Sequence, residues 1–213
     1  MKTQLVNTAQ EFDFSYLNND DIDSPLYCIG YFYTKQVYIE ELRQDIHNWV
    51  KTACSLSNDQ FGDPDQFPLI HQHCTKLLEI AYLLQHDDID LRIDKDHPIY
   101  RLNNDCFGWH IENTQTLSCP DLYYRNLLGD EINDVKTFFE DLFEFNTLDQ
   151  WYKILGLLFI HSKQETSFTQ QEEYGYMIIE IQEYLEKALE SISVVYETQA
   201  LPYLNKYYPE LFD

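Results

Sequence analysis

Apolar positions recur at intervals of three and four along most of the chain, and this spacing predicts helices. Over residues 35–54, Tyr38, Ile39, Leu42, Ile46, Trp49, Val50 and Ala53 fall on one stripe, the mark of a helix that buries one face. Residues 58–68, with Gly62, Pro64 and Pro68, read as a loop. Helical spacing resumes over 69–85 through Ile70, Cys74, Leu77, Ala81 and Leu84, so the two segments form a helical hairpin. Upstream, 27–33 is apolar throughout, which suits a buried strand or a buried helical turn, and helix is preferred. Residues 1–24 form a polar arm anchored by Phe12, Phe14, Tyr16 and Leu17.

Between residues 87 and 120 the pattern changes. Ile89, Leu91 and Ile93 alternate with polar residues, and Pro98, Gly108 and Pro120 interrupt anything longer, so the segment reads as a connector too short in its alternation to found a sheet. Helices are then predicted over 121–128, over 131–145 with Ile132, Val135, Phe138, Phe139 and Leu142 inward, and over 148–161 behind a capping box of Thr147 and Gln150. A second box, Thr169 with Glu172, is expected to open the longest helix, 170–198, whose stripe is Tyr174, Ile178, Ile181, Leu185, Ala188, Ile192 and Val195. The expected fold is all-α, a bundle of six to eight helices. Two helical modules compose it, residues 1–100 with the acidic connector and 101–213, which can pack as one compact unit. No solenoid-length repeat is visible.

Charge changes the picture most. The chain holds 37 Asp and Glu against 14 Lys and Arg, a net charge of -23 over 213 residues. Such a surface repels nucleic-acid phosphates and anionic membranes and attracts basic proteins. Because 44% of residues are hydrophobic and 15% aromatic, the chain has enough apolar surface to fold despite its charge. No apolar run approaches the roughly 20 residues that cross a bilayer, and the first residues lack the features of a secretory signal. Five scattered cysteines, Cys28, Cys54, Cys74, Cys106 and Cys119, suit reduced thiols and a cytoplasmic location.

Chemistry-bearing motifs are sparse: there is no phosphate-binding glycine loop, no Cys-x-x-Cys, no His-Glu-x-x-His and no nucleophile elbow. His71, His73 and Cys74 lie at near-helical spacing but lack a fourth ligand. Arg92 and His97 are the one pair with the spacing of a helical ribonuclease motif, and the neighbouring Asp90, Asp94 and Asp96 would repel an RNA backbone. Neither enzymatic activity nor a metal or other cofactor is expected. Candidate partner-binding residues are therefore the carboxylates Asp87, Asp88, Asp90, Asp94 and Asp96 of the connector, with Glu173, Glu180 and Glu183 on the outer face of the long helix. Glu190 is placed on that same outer face, and Lys187 is expected to offset Glu183 four residues away. Asp20, Asp21 and Asp23 crowd the arm.

An aromatic pattern occupies the C-terminal third. Trp151-Tyr152 is followed by His161, then Tyr174-Gly175-Tyr176 with Glu180 beyond, and Tyr207-Tyr208-Pro209 closes the series. Gly175 near a helix start costs about 1 kcal/mol relative to alanine, so something must approach closely there. Trp151, Tyr174 and Tyr176 are expected to cluster, with His161 and Glu180 finding hydrogen-bond partners among them. This pattern resembles the PoNi immunity proteins, which protect bacteria from PoNe-type DNase toxins; Met177 stands where that family usually has tryptophan. The resemblance implies an all-helical fold and stoichiometric inhibition of a cognate nuclease, with Trp151, Tyr152, His161, Tyr174, Gly175, Tyr176, Tyr207, Tyr208 and Pro209 serving as architecture. The alternative function is a DNA mimic of phage or plasmid origin that blocks a restriction or defence enzyme. In either case the partner is a basic protein, a nuclease toxin on the first reading, with no direct binding of nucleic acid or membrane.

Overall fold

Several helices start at a side chain that accepts a first-turn N–H or with a proline, which has no N–H there to satisfy. The computed structural model describes residues 13–56, 61–93, 97, 99, 126–164 and 166–212. Asn18 and Asp21 cap each other's backbone at 3.0 and 3.1 Å and open α1 (Asn19–Asp23). Pro25 heads α2 (Pro25–Tyr31), which widens into a π-helical turn, Phe32–Gln36. Then come α3 (Ile39–Cys54), a short 3-10 turn at Pro64–Gln66, and α4 (Phe67–His86) with Pro68 in its first turn. After the connector follow α5 (Gly129–Asn133), α6 (Val135–Phe145) and α7 (Leu148–His161). Last are α8 (Ile178–Val195), a π-turn at Tyr196–Ala200, and α9 (Leu201–Tyr207). The fold is an all-α helical bundle.

The predicted stripes are the buried faces. Ile39, Leu42, Ile46, Trp49, Val50 and Ala53 of α3 and Ile70, Cys74, Leu77, Ala81 and Leu84 of α4 are all buried. Helix α4 lies against α3, α6, α7 and α8, and α3 also packs on α8. One hydrophobic core runs from Leu17 to Ala200. Trp49 and Trp151 sit fully buried in it, and each indole N–H has a partner: the Ser162 hydroxyl at 3.2 Å and the Leu142 carbonyl at 3.2 Å. A buried tryptophan needs that bond, because an unpaired donor in the core carries its full desolvation cost. The boundary expected between residues 100 and 101 lies outside the described residues.

Several boundaries differ from expectation. Tyr38 is 70% exposed, since it is the extended residue that precedes α3 and so leaves the stripe. The predicted helix 131–145 is two helices, broken at Asp134, whose extended backbone pairs in a single antiparallel bridge with Arg92. The Ile93 amide bonds the Asn133 carbonyl at 3.0 Å beside it, and Leu91 and Ile93 are buried. The alternation in the connector thus marks one extended strand-like step. Of the predicted helix 121–128, residues 121–125 lie outside the description, and Leu128 has extended backbone ahead of α5.

The long helix also starts later than predicted. Thr169 and Glu172 do not cap it; instead Ser167 accepts the Thr169 amide at 3.2 Å and opens a 3-10 turn, Phe168–Gln170. A second 3-10 turn, Gly175–Met177, leads into α8. At the other end the chain stays helical beyond residue 198. Pro202 has no N–H for the carbonyl four residues back and would collide with it in a regular helix. The π-turn at Tyr196–Ala200 relieves that conflict just upstream.

Candidate functional site

The candidate carboxylates fall into separate places with different degrees of freedom. At the end of α4, Asp87 is half-buried, its side chain accepts the Ile89 amide at 3.0 Å, and its carbonyl accepts Lys136 Nζ at 2.5 Å. Asp88 is exposed. Asp90 is exposed too but committed: it accepts the backbone amide, Nε and Nη2 of Arg92 at 3.1, 2.8 and 2.6 Å. Those bonds hold the Asp90 carboxyl well below the usual carboxylate range. Asp94 and Asp96 lie outside the described residues. Glu173 pairs with Lys153 at 2.6 Å, both exposed. Lys153 lowers the Glu173 carboxyl and sits 5.3 Å over the Tyr174 ring. Glu180 and Glu183 are exposed, and Glu183 meets Lys187 at 3.8 Å.

Glu190 is not on the outer face. It is fully buried, because its position on α8 turns towards α3, where the Arg43 guanidinium reaches it at 3.3 Å and the amides of Asn126 and Leu127 each donate at 3.1 Å. Glu79, Glu131 and Glu197 are also interior. Glu131 takes Lys187 Nζ at 3.1 Å and the Leu128 amide at 2.5 Å. Glu79 is fully buried and gathers the amides of Ser15, Tyr16 and Leu17 at 2.6 to 3.0 Å, plus the Tyr152 hydroxyl at 2.8 Å. A carboxylate satisfied by four donors can remain in a core that would otherwise reject it. The sequence signal for Glu79 is an acid inside the apolar run Leu77-Leu78-Glu79-Ile80-Ala81.

The aromatic pattern disperses. Trp151 packs with Phe145 and Tyr184 at 6.0 and 6.4 Å, Tyr152 serves Glu79, and Tyr176 is 77% exposed. The expected cluster of Trp151, Tyr174 and Tyr176 does not form, and Glu180 is exposed rather than enclosed in it. His161 does find partners: Nδ1 faces the Thr166 carbonyl at 2.8 Å and Nε2 the Gln171 amide at 2.6 Å. Gly175 permits the close approach that its position suggests, since a Cβ there would stand 2.6 Å from the Thr169 carbonyl oxygen. Tyr208 packs against Tyr27 at 4.8 Å, Tyr207 is exposed, and Pro209 opens a final 3-10 turn.

The remaining chemical candidates separate. His71 lies between Trp49 and Phe159, His73 against Phe32, and Cys74 is fully buried. Among the described residues no three His, Cys, Asp or Glu side chains are grouped to hold a metal ion. The Arg92 guanidinium is occupied by Asp90, while His97 Nδ1 accepts the Ile99 amide at 3.3 Å.

Sequence reasoning missed the α6–α8 edge. Glu140, Asp141 and Glu144 are exposed along α6 and Asp149 opens α7. Tyr184 of α8 stacks on Phe145 at 4.4 Å. Burial pushes its hydroxyl up, with the charge of Asp141 acting in the same direction, Lys187 against it, and Glu183 with it. The nearby cation, Lys187, is taken by buried Glu131. Also missed is a groove of about 410 Å³ between the two π-turns, lined by Tyr38, Tyr196, Asn205 and Phe212; Tyr33 stacks on Tyr196 beneath it at 5.2 Å. Among the described residues no helix is long and apolar enough to cross a membrane. Comparison of the chain with protein-family models, with curated proteins and with solved structures finds no match.

Proposed function

We propose that this protein is a stoichiometric inhibitor of the immunity type, which binds a basic nuclease toxin through exposed carboxylates and performs no chemistry. The observation that supports it is how the charge is divided between interior and surface. Arg43 and Lys187 are drawn inward by Glu190 and Glu131, while Asp88, Glu140, Asp141, Glu144, Glu180 and Glu183 stay on the surface. With 37 acids against 14 bases, the outward field is strongly negative, and opposite-sign proteins are drawn to it at rates that fall with salt. The resemblance of the C-terminal third to PoNi proteins supports a nuclease as the partner, and the action would take place in the cytoplasm, where a DNase meets its substrate.

The test is association with a purified basic DNase toxin, measured by surface plasmon resonance at several salt concentrations, together with a DNA-cleavage assay. The expected result is one-to-one inhibition with an association rate that drops steeply as salt rises. Reversing Asp141 and Glu183 to lysine should slow association and leave the circular-dichroism spectrum helical; reversal of Asp87, Asp88 and Asp90 makes the same comparison for the connector. Unchanged affinity and unchanged salt dependence after reversal of each cluster would refute a carboxylate interface.

A further inference from the structure

Five tyrosines form a continuous run of ring contacts where α2 and α9 cross. Tyr31 stacks on Tyr27 at 6.2 Å, Tyr27 meets Tyr208 at 4.8 Å, Tyr208 meets Tyr203 at 5.9 Å, and Tyr203 meets Tyr207 at 5.0 Å. The spacing builds the run, because 27 and 31 on α2 and 203 and 207 on α9 are each one helical turn apart and so share a face. The two helices can approach because Gly30 has no side chain where buried Leu204 seats itself. Both ends of the run face solvent: Tyr31 is 38% and Tyr207 56% exposed.

The surroundings say what such a surface fits. Asp20 and Asp23 stand exposed on α1, the helix that leads into α2, and Glu210 stands exposed two residues past Tyr208. The face of Tyr207 already carries a cation, Lys206 Nζ, 4.8 Å from the ring centre. Exposed aromatic faces on a strongly acidic protein complement a guanidinium, which stacks on a ring while its N–H groups can reach acids. Tyrosine and arginine are also the side chains that most often dominate interface energetics.

We infer that this tyrosine surface docks an arginine-bearing segment of a basic partner protein and governs how long the complex lasts. The inference rests on the proposed basic partner, and it assigns separate roles. The dispersed carboxylates speed encounter, while desolvated ring contacts slow dissociation.

The whole chain, with its tyrosine rings labelled for NMR, is titrated with an arginine homopeptide and with a lysine homopeptide of equal length at physiological salt. The expected result is that the arginine peptide shifts the Tyr31 and Tyr207 ring signals and binds about five-fold tighter than the lysine peptide, the scale of an exposed cation–π contact. Tyr31→Ala with Tyr207→Ala should abolish that preference and leave lysine-peptide binding in place; Tyr31→Phe with Tyr207→Phe should keep it, which separates loss of the ring from loss of the fold. Equal binding of the two peptides, or an arginine preference that survives the double alanine variant, overturns the docking inference while leaving a basic partner intact. Binding of neither peptide would overturn the inference together with the function it rests on.

Discussion

The Tyr152 hydroxyl donates to the fully buried Glu79 carboxylate at 2.8 Å, joining α7 to α4 at the point where the N-terminal arm also docks. The amides of Ser15, Tyr16 and Leu17 converge on the same two oxygens, so one acid fastens three segments. Replacing Glu79 with Gln keeps the shape but turns an amide NH2 towards the backbone donors, and it should cost about 1–3 kcal/mol. Tyr152→Phe should cost about 1.5–3 kcal/mol, as expected for a lost bond to a charged group. Urea unfolding of each variant measures both.

The same carboxyl also sets a pH dependence. Burial raises it above its ordinary value of 4.5, with the Tyr152 and backbone bonds pulling the other way. The folded state therefore holds this proton more tightly than the unfolded chain does. Its contribution is greatest below pH 4.5 and declines as pH rises through the raised folded value. Glu79→Gln does not titrate, so the stability gap between parent and variant should be larger at pH 4 than at pH 7. Thermal melts of the pair across that range test the sign; a gap that widens with pH would show that the hydrogen bonds outweigh burial.

Arg43 and Glu190 form the second buried device. Glu190→Ala takes one carboxylate from buried Arg43, which keeps Glu40 at 2.6 Å, and should cost about 3 kcal/mol, the low end for a broken buried pair. The double variant Arg43→Met, Glu190→Leu should recover part of that loss, because neither charge of the pair remains in the core. Recovery stays incomplete, since the amides of Asn126 and Leu127 lose their acceptor. A double-mutant cycle by chemical denaturation gives the coupling.

Much of the fold is legible in the chain because local signals and tertiary packing agree there. The stripes of α3 and α4 and the Thr147–Gln150 box before α7 all appear where periodicity and capping place them. What escapes is set by distant contacts. Glu190 looks like a surface acid on a helical wheel, and its burial depends on Arg43, 147 residues away. The helix break at Asp134 depends on a bridge to Arg92. The candidate site is legible as a net charge, but its layout is not, because composition does not tell which acids are claimed inside.

Thiol reactivity offers an independent check on burial. Burial pushes Cys28 up to about 12 and Cys54 up to about 11, and it drives fully buried Cys74 higher still. All three are protonated at pH 8, and the thiolate is the reactive form. A variant with Cys106 and Cys119 changed to serine should therefore react with a disulfide reagent many-fold more slowly in its native state than in denaturant. Fast labelling of a single thiol would point to Cys54, the least enclosed of the three.

Two glycines should respond to alanine in opposite directions. At Gly175 the new methyl would meet the Thr169 carbonyl oxygen at 2.6 Å and the Phe168 carbonyl oxygen at 2.9 Å. Both atoms are backbone, held by a 3-10 turn that Ser167 caps, so the clash cannot be relieved by rotating a side chain. Gly175→Ala should destabilise by about 1–3 kcal/mol, the range for overpacking. Gly156 lies inside α7, where a Cβ finds nothing within 4 Å. There alanine restricts the unfolded chain and fills open space, and it should stabilise by about 0.5–1 kcal/mol. Thermal unfolding of the two variants beside the parent should place one melt below it and the other above. A shift of Gly175→Ala to higher temperature would mean that the turn at residues 167–177 is not packed against the start of α8 in the way that makes glycine necessary.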